Sequence, residues 1–239
     1  MIKYRIILGF IVGCLVAPSL MYAQNCGVDS LIKWPFAKSI SFNGRGIEKQ
    51  DRILFKQDEV QFYEASNSVE VVIRKHIVRQ LGSSNQLGAL VSLPFYASDS
   101  VEQIVDIRAV THKKDGSKRF LDTEQISLID LNSRYKSYAF LMPEADSGDV
   151  IEYAYGLRRA FIEELPDFYF QESVPVEMAQ FILRYPDYIR YRVKPQNAEG
   201  INVCNWEISK DTSDVPPIFI YRRPPPQVSE VWMARELPP

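Results

Sequence analysis

VEQIVDIRAVTHKKDGSKRFL, residues 101–121, reads as two strands and the turn that joins them. Val101 to Thr111 is rich in Val and Ile and alternates apolar with polar positions, the period-2 signature of a half-buried strand. Lys114-Asp115-Gly116 then supplies an Asp-Gly pair, which tolerates positive φ in a tight hairpin, and Ser117 to Leu121 returns. The same grammar recurs in both directions. Upstream it predicts strands at Val60 to Tyr63, Val69 to Val78 and Ala89 to Leu93. Downstream it predicts Ser137 to Met142, Val150 to Leu157, Phe168 to Ser173, Val176 to Leu183, Ile189 to Val193, Val203 to Ile208 and Ile218 to Tyr221. Beyond the first residues no segment sustains an apolar period of 3.6, so helices are minor. About twelve short strands between polar turns imply an all-β chain, folded as an antiparallel β-sandwich in which each sheet covers its apolar face with another layer.

The ends of the 239-residue chain read differently. Lys3 and Arg5 precede an apolar run from Ile6 to Val16, and small or turn-forming residues follow to Ala23, the layout of a secretory signal peptide over residues 1–23. Cleavage after Ala23 competes with a second reading in which Ile11-Val12-Gly13-Cys14 is a lipobox and Cys14 is lipidated. Either way the chain is expected to be exported, periplasmic or associated with the outer envelope. No later segment approaches the roughly 20 apolar residues of a membrane-spanning helix. Residues 24–58 form a lead-in that packs on a sandwich domain over 59–215. Pro216, Pro217, Pro224, Pro225, Pro226, Pro238 and Pro239 mark residues 216–239 as a Pro-rich linker.

Net charge is −2 with both signs interspersed, which leaves no basic face for nucleic acid. Of three cysteines, Cys26 and Cys204 remain outside the leader. In an oxidising compartment they can form a disulfide if the fold brings their Cα atoms within about 7 Å, and two separate thiols are the alternative.

Three runs resemble the bacterial domain of unknown function 3857 family, whose members stand ahead of transglutaminase-like domains in exported envelope proteins. They are Val105-Asp106-Ile107-Arg108-Ala109-Val110-Thr111 with its Asp115-Gly116 turn; Phe140-Leu141-Met142-Pro143 followed by Gly148-Asp149-Val150-Ile151-Glu152-Tyr153-Ala154-Tyr155; and Phe168-Tyr169-Phe170-Gln171-Glu172-Ser173-Val174-Pro175-Val176. With the stretch around Trp206, the resemblance covers about residues 50 to 239. It implies a β-sandwich that supports or positions an adjoining transglutaminase- or protease-like domain or envelope partner, with no activity or cofactor of its own.

The residues themselves offer little chemistry. In the transglutaminase-like order a histidine base follows the cysteine nucleophile, yet His76 and His112 both precede Cys204, and Cys26 stands in no motif. No neighbouring carboxylate is spaced to complete a metal site with the two histidines, which therefore read as structural. Glu163-Glu164, with Asp167, reads as a solvated loop balancing Arg158-Arg159, and Gly148-Asp149-Val150 lacks the Lys-Ser/Thr ending of a phosphate loop. Aromatic residues supply the alternative function. Tyr169, Tyr185, Tyr188 and Tyr191 form a candidate recognition surface for a glycan or peptide, against the reading that they pack the sheets.

Overall fold

A computed structural model describes residues 3–8, 50–65, 68–83, 89–160, 163–188, 191–196, 204–211 and 227–239. Cys14 and Cys26, and with them the lipidation and disulfide expectations, lie outside the described residues. Within them run fourteen strands: β1 (Lys3–Leu8), β2 (Arg52–Ala65), β3 (Ser68–Gln80), β4 (Leu90–Tyr96), β5 (Glu102–His112), β6 (Lys118–Phe120), β7 (Ser127–Asp130), β8 (Tyr135–Leu141), β9 (Val150–Arg159), β10 (Glu164–Tyr169), β11 (Val176–Pro186), β12 (Tyr191–Gln196), β13 (Cys204–Asp211) and β14 (Gln227–Leu237). Two single 3-10 turns, Ser98–Ser100 and Thr123–Gln125, are the helical pieces among the described residues.

The strands make an eight-stranded sheet in the order β13-β14-β11-β2-β3-β9-β5-β6 and two three-stranded sheets, β10-β1-β12 and β4-β8-β7. One core takes side chains from the large sheet (Val60, Ile73, Leu157, Phe181, Trp232), from β4 and β8 (Leu93, Phe140) and from β10 (Leu165, Phe168), which is the sandwich arrangement. The expectation of purely antiparallel pairing needs one correction. β2 and β11 run parallel, with Val176 opposite Ile53 and Leu183 opposite Val60. More than 100 residues separate the two strands, so no hairpin constrains their direction.

A second correction concerns the expected linker. Gln227–Leu237 is not an extended proline tail but β14, set between β11 and β13 with Val231, Trp232, Met233 and Leu237 buried. The proline run stops at Pro226, and behind it the backbone again has every N–H that a ladder needs. Similarly, the expected domain start at residue 59 moves back to Arg52, because Ile53 and Phe55 are already buried strand residues. Lys3–Leu8, assigned above to a leader, lies as β1 antiparallel to both β10 and β12. Ile218 to Tyr221 lies outside the described residues.

One irregularity positions everything that follows. Between Val105 and Arg108, β5 carries one residue more than its partner β9, and Asp106 adopts φ 53°. Such a bulge reverses which side chains face which side of the sheet. Ile104 before it and Ala109 after it thereby both reach the core, while Arg108, Val110 and His112 pass to the opposite face. Gly156 of β9 faces the bulge, where an added Cβ would lie 2.9 Å from Val105 Cγ2.

Candidate functional site

On the face opposite the main core, the register sets Val78 and Val110 on either side of Glu152, in the adjacent strands β3, β9 and β5. His76 and His112 are the diagonal neighbours, and both turn onto Glu152. His76 Nε2 lies 2.9 Å from Glu152 Oε1 and His112 Nε2 lies 2.7 Å from Glu152 Oε2. Glu152 has no exposed surface and both imidazoles are buried. When Glu152 is a carboxylate it accepts at both oxygens, and each ring then presents Nε2–H to it. Phe55 meets His76 edge to face at 5.4 Å, and Phe55, Val78 and Val150 form a small apolar cluster on the same side. The three polar side chains thus clamp three strands together within an apolar frame.

A histidine oriented by a carboxylate is also the base half of a catalytic triad. Here both Nε2 atoms are committed to Glu152 and the group is enclosed. Metal binding fares no better. Among the described residues no three His, Cys, Asp or Glu side chains are arranged to hold a metal ion.

The core side of the same strands carries charge as well. Lys75 pairs with Asp58, Arg79 with Asp51, and Lys56 with Glu172, its ammonium 5.2 Å from the centre of the Phe168 ring. Burial pushes the Tyr153 hydroxyl up to about 12. Tyr155 is raised too, first by burial and then by the Asp58 carboxylate.

The Gly148-Asp149 turn is a polar hub. Buried Asp149 accepts from Lys113 Nζ at 2.6 Å, from the Asp146 backbone N–H at 2.9 Å and from that of Lys114 at 3.3 Å. Gly148 takes φ 81° to make the bend. In the Asp-Gly hairpin, Gly116 takes φ 84° and Asp115 accepts from the Ser117 N–H at 2.8 Å.

The four candidate tyrosines do not form one surface. Tyr185 is a correction: it is 3% exposed, sits in the core and donates its hydroxyl to Glu230 Oε1 at 2.5 Å. Its ring meets Tyr191 at 5.7 Å, and Tyr191 is held well above the usual tyrosine range by burial and then by Glu163. Tyr169 is half-buried between the core residues Phe168 and Phe170, and Tyr188 alone of the four is exposed. Tyr185 has the same parity along β11 as Phe181 and Leu183, so alternation carries it to the core, whereas Tyr188 lies beyond the strand's end at Pro186.

Exposed apolar residues gather elsewhere. Leu90, Leu128, Ile129, Leu131, Tyr135 and Leu141 belong to β4-β8-β7 or the hairpin within it, and each is more than two-fifths exposed. β7 is one of the two edge strands there, with all four residues exposed. Sequence reasoning missed this strand because it has no buried side to give it a period.

A sequence profile of the domain of unknown function 3857 family matches residues 67–213. Among curated proteins no relative matches the chain. Among solved structures, a protein from Parabacteroides distasonis described as a candidate protease is similar in fold, with a TM-score of 0.52 at 12% identity. The likeness covers 80% of this chain but 36% of that one, so this chain spans about a third of the length of that neighbour. No helix among the described residues is long and apolar enough to cross a membrane. With the profile spanning well over half of its residues, the chain belongs to the domain of unknown function 3857 family.

Proposed function

We propose that the chain is an exported, non-catalytic β-sandwich module that supports or positions an adjoining transglutaminase- or protease-like domain in the cell envelope. The observation that carries this reading is the fate of its best acid–base group. His76, Glu152 and His112 are spent on joining β3, β9 and β5, where a substrate has no approach. Site chemistry rather than fold decides function, and the chemistry present here serves the scaffold. Family membership and the greater length of the similar solved structure agree with a module that works beside another domain.

The test is an assay of the purified chain with a fluorogenic protein substrate and with an amine donor for acyl transfer. No turnover above a buffer blank is expected. Turnover that disappears in the Cys26→Ser variant would overturn the reading.

A further inference from the structure

The two edges of β4-β8-β7 are finished differently. On β4, the Met142 N–H to Ala89 carbonyl bond and the Ala97 N–H to Arg134 carbonyl bond, both 2.8 Å, fix the alternation. They leave Leu90, Ser92, Pro94 and Tyr96 with outward backbone groups. Pro94 has no N–H, and the Tyr96 N–H donates to Glu102 Oε2 at 2.8 Å. Half of that edge is closed to a further strand.

On β7 the Leu131 N–H donates to the Tyr135 carbonyl at 3.0 Å. The register of Ile129 opposite Ser137 and Ser127 opposite Ala139 continues that pair. Ser127 and Ile129 therefore bond to β8, and Leu128 and Asp130 turn their N–H and C=O groups outward. Neither is a proline, and both residues are exposed. The edge is flanked on both faces by apolar side chains, Leu128 on one, Ile129 and Leu131 on the other.

We propose that this edge joins β7 of a second copy of the chain, antiparallel, about a two-fold axis through Ile129. Of the antiparallel registers open to those groups, this one uses both residues of each copy and opposes no like charges. In it Leu128 exchanges both backbone hydrogen bonds with Asp130 of the second copy, and by symmetry Asp130 with its Leu128, which makes four bonds. Ile129 then faces Ile129 of the second copy in a pair that shares no hydrogen bond, where Cα atoms approach to about 4.5 Å. Leu131 falls opposite Ser127. The sequence is self-complementary in this register: the one charged residue of β7, Asp130, faces a leucine rather than its own copy, so no like charges are opposed. A two-fold contact of one patch with itself is the closed arrangement that soluble homodimers use. The product is a continuous sheet, β4-β8-β7 from each copy, whose apolar outer positions Leu90, Leu141, Ile129 and Leu131 run across the join.

Sedimentation equilibrium of the full chain tests this from about 1 to 200 μM. A concentration-dependent rise to twice the monomer mass is expected. Ile129→Lys, at a half-exposed position, should raise the dimer dissociation constant at least about tenfold and leave the thermal midpoint unchanged at concentrations where both chains are monomeric. Ile129→Cys should give a reducible dimer under mild oxidation, with a band absent from the wild-type chain treated alike, because non-hydrogen-bonded pairs hold Cβ atoms near disulfide distance. Leu131→Cys, offset from its own copy by four positions, should give none. A monomer at every concentration overturns the proposal, as does a dimer unaffected by Ile129→Lys. Capture of an unrelated extended peptide on β7 by a monomeric chain likewise overturns it.

Discussion

Replacing Glu152 with alanine withdraws the one acceptor that His76 and His112 share and strands two imidazole N–H groups inside the sheet. Each buried donor left without its partner costs about 1–3 kcal/mol, and removing one member of a buried charged network costs about 3–5 kcal/mol in all. With a urea dependence of about 2 kcal/mol per molar for a chain of this kind, the unfolding midpoint should fall by roughly 1.5–2.5 M. The intrinsic fluorescence of the chain's three tryptophans reports the transition. Glu152→Gln should fall between, because an amide oxygen satisfies one imidazole while its NH₂ confronts the other. The companion variant replaces Glu152, His76 and His112 together with leucine. Apolar replacement of a whole buried network is commonly neutral or better, so the triple variant should regain most of the loss. A midpoint shift under about 0.3 M for Glu152→Ala, near 0.6 kcal/mol at the same urea dependence, would refute the claim that the cluster joins the three strands.

Gly156→Ala should cost about 1–3 kcal/mol through overpacking against Val105, and Val105→Ala in the same chain should restore the melting temperature, since Val105 is itself partly exposed. Asp149→Ala removes the acceptor of three bonds at a buried turn. A loss of about 2–3 kcal/mol by thermal melt is expected, and no measurable change would mean that the hub is decorative. Alkaline unfolding should begin near pH 10, where tyrosines of the unfolded chain start to ionise. Tyr153 is held protonated up to about 12 in the fold, so stability is complete below about pH 10 and is lost as pH climbs toward 12. Tyrosinate absorbance should rise together with the loss of circular dichroism. Reversible ionisation of all 13 tyrosines with the β signal intact would contradict it, and Tyr153→Phe should move the transition upward.

Much of the sheet was legible from alternation, because a strand with one covered side, such as Leu90–Tyr96, spells its burial every second residue. What escaped has specific causes. β7 is exposed on both sides and carries no period. β14 was hidden behind three consecutive prolines, whose effect stops at Pro226. The histidine cluster escaped for a subtler reason. From Ile104, a core residue, eight positions lead to His112, and strict alternation sends both to the same side. The extra residue at Asp106 reverses that parity and delivers His112 to Glu152. A non-glycine residue at φ 53° leaves no mark in composition. Tyr185 was misplaced by counting aromatics near one another instead of following the alternation from Phe181 and Leu183.

The position of β14 carries a consequence for biosynthesis. β13 joins the large sheet only through β14, so that end of the sheet waits for residues 227–237. A nascent chain emerging from the ribosome holds Phe181 and Trp232, which meet at 5.5 Å in the core, apart until β14 arrives. Until then β13 has no neighbour on which to form.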